Sequence, residues 1–486
     1  MILEISKNAN PNYLAKVITI SNLRKHHNAD RLQITTIDGN NVIVDMQTKI
    51  GDIVVYFPVE SCIEDWFLKK YNQYRDKNLN ADPSAPCGFF EENRRVKAIR
   101  LRDEASCGVV FPIDKFIDAS VNPDKYINTE FDTINGVLIC TKYIPKYFKT
   151  TPTGNKVGNK RSKNIKNLSK AIDTQFRFHI DTVHFGKNIH KFMLDDVISI
   201  TLKMDGTSAI YSRVLCKKNL STYQKILKYF GANIPDIDYD YLYASRSVIK
   251  NKNMNPTVGS GFYNADVWKT HFDKVKDFLD KGMTYYGEIV GYVDGTSKAI
   301  QCRAGIPFDY GCPVGTSEFY IYRITYTNPD GKVYEFSARQ VQEYCQAMGL
   351  KVVPEIFYGK FRDILSPELV KEKEYLENPN NIDYVDVVDQ DGNICGKDLE
   401  PSYKQRKNTW ESNVLDYLRN KYLEIEDPLC KSHAPLEGVV FRREKNYIDS
   451  YKFKSFKFLQ LETKSNDNGE VDIETKESIS DSEDSE

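Results

Sequence analysis

Four short motifs contain the residue types that chemistry on a nucleotide requires. A neutral lysine amine can attack the α-phosphorus of a nucleoside triphosphate, although free lysine has a pKa of about 10.4 and is charged at neutral pH. Further lysines and a divalent cation at the same phosphate would lower that pKa and neutralise charge on the phosphate. The motifs supply such groups in a fixed order and predict transfer of a nucleotide to Lys203: Lys203-Met204-Asp205-Gly206, Tyr286-Gly287-Glu288-Ile289-Val290-Gly291, Glu437-Gly438-Val439-Val440 and Lys452-Phe453-Lys454.

The sequence around each of the three lysines predicts its position in a β-strand. Residues 197–202 form a β-prone run before Lys203, and Gly206 lets the backbone turn tightly after it. Lys452 and Lys454 are two residues apart, and alternate residues of a strand point to the same face. The sequence therefore predicts that Lys203 lies at the end of a strand and that the other two lysines face the same phosphate.

Two glutamates and one aromatic residue extend the predicted site. Glu437 directly precedes a buried-strand pattern, and Glu288 occupies an equivalent position before another β-prone pair. A carboxylate at the entrance of a strand suits Mg²⁺ or Mn²⁺. The aromatic run 319–324 follows, and its inward-facing ring, predicted as Tyr322, could stack on a purine. Packing in the core is the alternative for Tyr322.

The chain divides into regions of different composition. Residues 12–112 contain short β-prone runs separated by turn signals, which predicts a five-stranded barrel of the oligonucleotide-binding (OB) type, a fold that commonly carries nucleic acid. Strands and helices alternate afterwards, so the predicted class is α+β, an OB-like barrel followed by a two-sheet, ATP-grasp-like nucleotidyltransferase domain. The predicted boundaries are 1–145 for the barrel, 146–170 for a basic linker, 171–461 for the catalytic domain with helical insertions at about 355–429, and 462–486 for a disordered acidic tail.

The basic stretch 149–166 has two interpretations. It contains few apolar residues and cannot bury a core, so a solvated linker is the first. An arm that grips RNA phosphates is the second. The net charge of the whole chain, -1, does not decide between them because the basic linker and the acidic tail offset each other.

Bulk composition narrows the class of protein. The chain has 486 residues, of which 41% are hydrophobic, enough for two domains with their own cores. Its ten cysteines show no C-x-x-C spacing, which argues against a structural zinc site and for free thiols in a reducing compartment. No apolar run is long enough to cross a bilayer, and no secretory signal is recognisable. We therefore expect a cytoplasmic protein without membrane contact, located in the host cytoplasm if its source is viral.

The ordered motifs resemble those of the covalent nucleotidyltransferase superfamily, which contains polynucleotide ligases and capping enzymes. In its ATP-dependent members a lysine takes AMP from ATP, passes it to a 5′-phosphate, and a 3′-hydroxyl then expels the AMP. The resemblance implies ATP and Mg²⁺ or Mn²⁺ as cofactors. It also implies the following roles: Lys203, Lys452 and Lys454 are catalytic; Leu202, Asp205, Gly206, Arg246, Glu288, Tyr322, Lys452 and Lys454 bind the nucleotide; and Glu437 holds the metal.

The order of the domains favours one branch. DNA ligases and capping enzymes carry their barrel after the last motif, whereas only a short acidic tail follows Lys454 here. An N-terminal barrel is similar to the Deinococcus-type RNA ligase family, the fifth RNA ligase family, which the stretches 27–32, 108–112, 178–184 and 203–208 also resemble. The resemblance implies an ATP-dependent RNA ligase that seals nicks in RNA or RNA/DNA duplexes and prefers a ribonucleotide at the 3′-hydroxyl side. RNA repair is one setting for such an enzyme, and because sealing by this mechanism needs only one copy of the chain, we expect a monomer.

Some features depart from that family, and other functions stay open. Arg323 stands where many ligases have an aspartate, and His179, His184 and His190 fit RNA contact or packing better than a metal site. A DNA ligase, a capping-type guanylyltransferase and a catalytically silent nucleic-acid-binding module are the alternatives. We also expect that removal of the barrel spares lysyl-AMP formation and reduces only sealing.

Overall fold

The computed structural model describes residues 2–117, 121–145, 170–218, 220–250, 263, 265–382, 384–388 and 394–470. The basic stretch 149–166 lies outside these ranges, so both interpretations of it remain predictions. The acidic residues after 470 lie outside them as well. Within the described ranges, no helix is both long and apolar enough to cross a membrane.

The N-terminal region consists of short antiparallel strands around one helix, α1 (Asp65–Lys70). The central sheet has the strand order β10-β6-β2-β11, and β3, β4 and β5 form a second sheet. The smaller groups are β1-β12-β13, β14-β7 and β8-β9. The strands are β1 (Leu3–Glu4), β2 (Ala15–Thr19), β3 (Arg24–Lys25), β4 (Leu32–Ile37), β5 (Asn40–Asp45), β6 (Ile53–Phe57), β7 (Ser61–Ile63), β8 (Ala98–Leu101), β9 (Glu104–Cys107), β10 (Val109–Pro112), β11 (Glu130–Phe131), β12 (Thr133–Ile134), β13 (Val137–Leu138) and β14 (Cys140–Lys142), with 3₁₀ turns at Pro11–Tyr13, Lys77–Leu79, Ile113–Lys115 and Pro123–Tyr126.

A two-residue turn joins β4 to β5. Asp38 and Gly39 both have positive φ, 49° and 76°, as a type I′ hairpin turn requires, and Asp-Gly is a preferred sequence for it. The strands on either side pair in full register from Leu32 opposite Asp45 to Ile37 opposite Asn40. The turn therefore forms a rigid tip at one end of this hairpin.

The C-terminal region contains two large sheets and the longer helices. One sheet has five strands in the order β15-β29-β28-β16-β25, and the other has six in the order β19-β18-β17-β20-β23-β24. The strands are β15 (Val183–His184), β16 (Val197–Lys203), β17 (Thr207–Lys217), β18 (Ile237–Ala244), β19 (Ile249–Lys250), β20 (Met283–Gly291), β21 (Cys302–Arg303), β22 (Ile306–Pro307), β23 (Ser317–Thr327), β24 (Val333–Glu335), β25 (Glu355–Lys360), β26 (Tyr384–Val388), β27 (Ile394–Leu399), β28 (Gly438–Arg443) and β29 (Ser450–Lys454). The helices are α2 (Phe185–Asn188), α3 (Thr222–Tyr229), α4 (Val267–Val275), α5 (Ala338–Met348), α6 (Pro367–Glu377), α7 (Pro401–Tyr422) and α8 (Phe456–Asp467), with 3₁₀ turns at Ile189–Lys191, Lys276–Phe278, Phe361–Ile364 and Pro379–Asn381.

The helices cover the outer faces of the two sheets. Trp268 of α4 and Val341 of α5 are buried in the cluster on the six-stranded sheet. Trp410 of α7 is buried with Phe441 of β28 in the cluster on the five-stranded sheet. Burial of one face of each helix against a sheet supplies most of the driving force for this layered arrangement. The opposite faces of the sheets are left to form the site.

The predicted helical insertion at 355–429 is wrong at its start. Residues Glu355–Lys360 form β25, which pairs antiparallel with β16 at the edge of the five-stranded sheet. The strand contains the β-prone run Ile356-Phe357-Tyr358, but this run is short and the long charged region that follows it concealed the signal. The rest of the region contains the helices α6 and α7 and the hairpin β26-β27, so it is mixed rather than purely helical.

The predicted tail is also wrong in its first residues. Helix α8 continues to Asp467, past the expected boundary at residue 462, and Thr463 and Ser465 are buried. Ser455 caps the start of the helix by accepting a hydrogen bond from the N–H of Phe458. The acidic composition after 461 concealed the contacts of Thr463 with Ala98 and Arg95 of the barrel and of Ser465 with Ala304.

Candidate active site

Lys203, Glu437 and Lys454 meet across three adjacent strands. Lys203 pairs with Gly438 of β28, and Gly438 in turn pairs with Lys454 of β29. Glu437 directly precedes β28, so its carboxylate stands between the two amines. Lys203 Nζ lies 2.7 Å and Lys454 Nζ 3.8 Å from Glu437 Oε1.

Gly438 allows β28 and β29 to lie close together beside Lys203. A Cβ atom at this position would lie 2.2 Å from the carbonyl oxygen of Phe453 on the neighbouring strand. No side chain fits there, because real Cβ contacts are far longer. The glycine in the Glu437 motif is therefore needed to bring the lysine-bearing strand close to Lys203.

The charge state of Lys203 in the protein alone depends on the groups around it. Burial, the largest single effect, disfavours its ammonium form and Lys454 repels it, but the attraction and hydrogen bond of Glu437 together with the attraction of Glu288 outweigh both, so the pKa of Lys203 is raised. The lowered pKa is predicted for Lys203 with a divalent cation and a phosphate at the site and stays a prediction; in the protein alone the close carboxylate of Glu437 raises the pKa. Lys203 is therefore held as an ammonium ion.

Lys452 is the lysine whose proton is weakly held. Burial, followed by repulsion from Lys454 and Lys203, lowers the pKa of Lys452 from 10.5 to about 7. Opposing attraction from Asp181 is smaller than these effects. The three lysines thus lie in one region of positive potential. Lys452 lowers that potential when it loses its proton near neutral pH.

Glu462 holds Lys454 from the other side. Lys454 Nζ donates to both carboxylate oxygens of Glu462, at 2.9 and 3.0 Å. Burial disfavours the charge on Lys454, but the two carboxylates Glu462 and Glu437 raise its pKa overall. Sequence reasoning missed Glu462, which lies two helical turns beyond Lys454. That spacing would have been informative only if helix α8 had been recognised.

Glu288 lies in the interior of β20, not at its entrance as predicted. The strand runs from Met283 to Gly291 and Glu288 pairs with Ser208, whose hydroxyl donates to Glu288 Oε1 at 3.0 Å. The apolar and aromatic run before Glu288 is itself part of the strand, which the sequence pattern did not reveal. Glu288 still attracts Lys203 and so faces the same site.

Glu437 has the features expected of a metal ligand. It is 2% exposed, and its Oε2 atom is buried with no hydrogen-bond partner among the described residues. Mg²⁺ is typically held by one or two carboxylates together with substrate phosphates, and not by a complete protein cage. In the described part of the chain, no group of three or more His, Cys, Asp or Glu side chains is arranged to hold a metal. The residues fit a divalent cation shared with a triphosphate.

Asp205 and Gly206 fix the turn after Lys203. Both Asp205 carboxylate oxygens accept hydrogen bonds from Arg303 at 2.9 Å, and burial raises the pKa of Asp205 in spite of this partner. A Cβ at Gly206 would lie 2.5 Å from the carbonyl oxygen of Ile289, so only glycine fits. The turn therefore joins the two sheets directly after Lys203. Arg303 was not identified from the sequence, because only the tertiary fold brings it there.

Leu202 contributes no side chain to the site. It is 5% exposed and packs in the hydrophobic cluster on the opposite face of the five-stranded sheet from Lys203. Its backbone N–H donates to the carbonyl of Pro354 at 3.0 Å. Its side chain faces away from Lys203 because alternate residues of a strand face opposite ways, so the predicted contact of Leu202 with a nucleotide would have to use its backbone.

Tyr322 meets a histidine at the edge of the site. Its hydroxyl hydrogen-bonds Nδ1 of His179 at 2.9 Å, and the two rings stand edge to face with centroids 5.6 Å apart. Burial, followed by repulsion from Arg246, lowers the pKa of His179 to about 3, so the ring is neutral. Arg246 itself forms an ion pair with Asp181. These residues place an aromatic and charged wall beside the lysines.

Arg323, the departure noted in the sequence, has a structural explanation. Its guanidinium donates two hydrogen bonds to Glu335 from Nε and one from Nη2, and it lies 4.5 Å from the centre of the Tyr286 ring. Both partners of the ion pair are nearly inaccessible, with 8% and 3% of their side chains exposed. Arg323 therefore anchors β23 to β24 and does not reach the lysines.

Comparisons with known proteins were made against families, curated proteins and solved structures. A family model described as RNA ligase matches residues 196–459, and one described as an OB-fold domain matches residues 14–113. No curated protein matches the chain. A Naegleria gruberi RNA ligase mutant with AMP and Mn is 15% identical with a TM-score of 0.49, over 92% of this chain and 98% of that chain. The same identity, coverage and TM-score hold for the Naegleria gruberi RNA ligase with PPi.

The predicted fold class is confirmed. The OB-fold match covers the N-terminal strands, and two large sheets with flanking helices follow. The RNA ligase match spans 196–459 and so includes Lys203, Glu288, Glu437, Lys452 and Lys454.

Proposed function

The chain belongs to the RNA ligase family, and we propose on that premise that it is an ATP-dependent RNA ligase with a lysyl-AMP intermediate. Within the family we assign it to the Deinococcus-type branch, because its barrel precedes the catalytic domain. The observation that carries the proposal is the contact of Lys203 with Glu437, together with Lys454 and Lys452 on β29, which is separated from the strand of Lys203 only by β28.

In the first step Lys203 Nζ attacks the α-phosphorus of ATP. A nitrogen–phosphorus bond forms, the bond from the α-phosphorus to the bridging oxygen breaks, and pyrophosphate leaves. The Lys203 ammonium must first lose a proton, and Glu437 Oε1 at 2.7 Å is the acceptor within reach. A divalent cation held by Glu437 would supply positive charge to the phosphate.

Lys452 and Lys454 act on the triphosphate during this step. Because the pKa of Lys452 is about 7, it can take up a proton when the negative phosphates arrive. Lys454 exchanges part of its contact with Glu462 for a phosphate oxygen. The positive charges oppose the charge that develops on the leaving pyrophosphate, which is the usual way that phosphoryl transfer is accelerated.

The later steps seal RNA. AMP passes from Lys203 to a 5′-phosphate, and a 3′-hydroxyl then attacks that phosphate, forms the phosphodiester and releases AMP. We propose a nicked RNA or RNA/DNA duplex as substrate, held by the barrel of residues 1–145, and RNA repair as the setting. Tyr322 is the proposed stacking partner of the adenine ring, and Arg246 binds the nucleotide after leaving Asp181.

The test is transfer of labelled nucleotide to Lys203. The purified protein is incubated with α-labelled ATP or GTP and Mg²⁺ or Mn²⁺, separated on a denaturing gel, and then given nicked duplexes with an RNA or DNA 3′-hydroxyl. Lys203→Ala should abolish the label and keep RNA affinity within about threefold, because the amine is the attacking group and not an RNA anchor. Lys217→Ala, at the exposed end of β17, is the control and should label normally.

Other outcomes would replace this proposal. Label from GTP alone would indicate a capping-type enzyme, and sealing of DNA ends without preference for RNA would indicate a DNA ligase. Label that persists in Lys203→Ala would exclude Lys203 as nucleophile. A folded, unmodified protein that takes no label with any nucleotide or metal would be a silent nucleic-acid-binding module.

A further inference from the structure

The turn of the β4-β5 hairpin, Asp38 and Gly39, forms the tip of the barrel that packs into the catalytic domain. A Cβ on Gly39, at the tip, would lie 3.1 Å from Leu415 Cβ on α7 and 3.3 Å from the Phe453 ring on β29. On the other side a Cβ on Gly186 of α2 would lie 1.8 Å from the carbonyl oxygen of Asp38. Two glycines therefore make room for the tip between α7, α2 and the strand that carries Lys452 and Lys454.

Arg419 of α7 connects the tip to that strand. Its Nε donates to the carbonyl of Gly39 at 2.8 Å, and its Nη2 donates to Asn40 Oδ1 at 3.0 Å. Its Nη1 donates to the carbonyl oxygen of Lys454 at 3.4 Å. The guanidinium also lies 4.8 Å from the centre of the Phe453 ring, and its side chain is 12% exposed.

The same side chain fixes the start of helix α8. Arg419 Nη1 lies 3.5 Å from Glu424 Oε1, which accepts a hydrogen bond at 2.9 Å from the N–H of Phe456. Phe456 is the first residue of α8. The end of β29 and the helix after it are thus held by one buried side chain that also binds the barrel.

Only arginine can join the barrel turn to β29 in this way, an arrangement called the Arg419 junction below. Its planar guanidinium presents five donors in a fixed fork, whereas the lysine ammonium is a single point on a flexible stem. One lysine could not reach the barrel tip and the Lys454 carbonyl, which Arg419 contacts through different nitrogens. Three of the four acceptors, on Gly39, Asn40 and Lys454, are uncharged, so the geometry of the donors matters more than the charge at these contacts.

We propose that Arg419 is a positioning residue through which the docked barrel sets the place of Lys454 and so the rate of lysyl-AMP formation. The inference rests on the proposed function of Lys454. It revises the expectation that the barrel serves only the sealing step. It also gives a role to the region 355–429, in which the sequence indicated no chemistry.

The test compares substitutions on one helix. Arg419→Gln and Arg419→Lys are measured against Arg406→Gln, since Arg406 lies on α7 as well but binds Glu372 and stacks on Tyr375. We expect the single-turnover rate of lysyl-AMP formation at saturating ATP to fall about tenfold to a hundredfold in both Arg419 variants, because a displacement of about 1 Å can slow a reaction on the order of a hundredfold. Arg406→Gln should keep the parental rate.

A second measurement tests whether the Arg419 junction is intact and does not depend on enzyme activity. Hydrogen–deuterium exchange is followed in peptides covering 450–454 and 38–45. Both peptides should exchange faster in Arg419→Gln and at the parental rate in Arg406→Gln, at a temperature where each variant is folded. Parental exchange and a parental rate in Arg419→Gln would overturn the proposal, as would full activity in Arg419→Lys.

These readouts separate the two proposals. If the parent protein takes no label, the ligase function fails, while the exchange data still report whether Arg419 couples the barrel to β29. If the parent labels but Arg406→Gln is slowed as much as Arg419→Gln, the effect is general loss of helix stability and the positioning role is wrong. A rate loss confined to Arg419, with faster exchange at 450–454, supports it.

Discussion

Replacement of Lys452 should stabilise the protein in a manner that depends on pH. The lysine binds its proton more weakly when folded, with a pKa lowered from 10.5 to about 7 by burial and by its two lysine neighbours. Below pH 7 it is charged in both the folded and unfolded states, and the folded state is destabilised. As pH rises from 7 towards 10.5 the folded lysine becomes neutral, so this destabilisation disappears.

The size of the effect follows from the two pKa values. A tenfold change in proton affinity corresponds to about 1.4 kcal/mol. The increase in the free energy of unfolding on replacement of Lys452 therefore has an upper limit of about 5 kcal/mol at pH 6 and about 1 kcal/mol at pH 10. The side chain keeps some contact with solvent, which reduces the expected gain at pH 6 to about 2–5 kcal/mol. Lys452→Met keeps the length of the side chain without its charge.

The assay is urea unfolding at several pH values between 6 and 10, followed by tryptophan fluorescence. Trp410 is buried beside the five-stranded sheet and reports on that region. The difference in the free energy of unfolding between Lys452→Met and the parent should be largest at pH 6 and shrink steadily towards pH 10. Lys217→Met at an exposed site is the control. A difference for Lys452→Met that does not change with pH would refute the reasoning.

Three further predictions concern nucleotide binding, strand packing and stability. Tyr322→Phe keeps the ring and should change the apparent ATP affinity less than about threefold, whereas Tyr322→Ala should weaken it at least about tenfold in a titration of lysyl-AMP formation, since stacking contributes about 1–3 kcal/mol. Gly438→Ala should slow that reaction at least about tenfold, because its Cβ would meet a backbone oxygen at 2.2 Å, while Gly396→Ala, with open space around it, should not. Glu335→Gln leaves Arg323 buried beside a neutral side chain and should lower the free energy of unfolding by about 3–5 kcal/mol.

Each of these has an outcome that would contradict it. Equal losses in Tyr322→Phe and Tyr322→Ala would mean that the hydroxyl, not the ring, matters for the nucleotide. A fully active Gly438→Ala would show that β29 can shift without moving its lysines. A decrease of less than about 1 kcal/mol in the free energy of unfolding of Glu335→Gln would show that water or another group replaces the lost charge.

The convergence of the lysines was predictable from sequence because it depends on strand alternation and on short motifs. Lys203 ends a β-prone run, Glu437 begins one, and Lys452 and Lys454 alternate in a third. Neighbouring strands need only pair in register for these residues to meet. The OB-type barrel was predictable for a similar reason, since its short strands are separated by clear turn signals.

Other features depend on tertiary contacts that leave no local pattern. The raised pKa of Lys203 follows from a 2.7 Å contact with Glu437, a distance that motif spacing does not give. Arg303 and Glu462 approach the site from the short strand β21 and from helix α8, neither of which the sequence analysis recognised. Strand Glu355–Lys360, by contrast, does contain a local signal, the β-prone run Ile356-Phe357-Tyr358, which the charged region after it concealed.

The last turns of helix α8 have a consequence for protease sensitivity. Thr463 and Asp467 bind the buried Arg95 of the barrel, and Glu462 binds Lys454. Cleavage after residue 470 would leave all of these contacts in place, whereas cleavage before Glu462 would remove contacts to both domains. The last residues that make these contacts therefore lie inside the acidic segment, a few residues beyond the boundary that composition alone indicates.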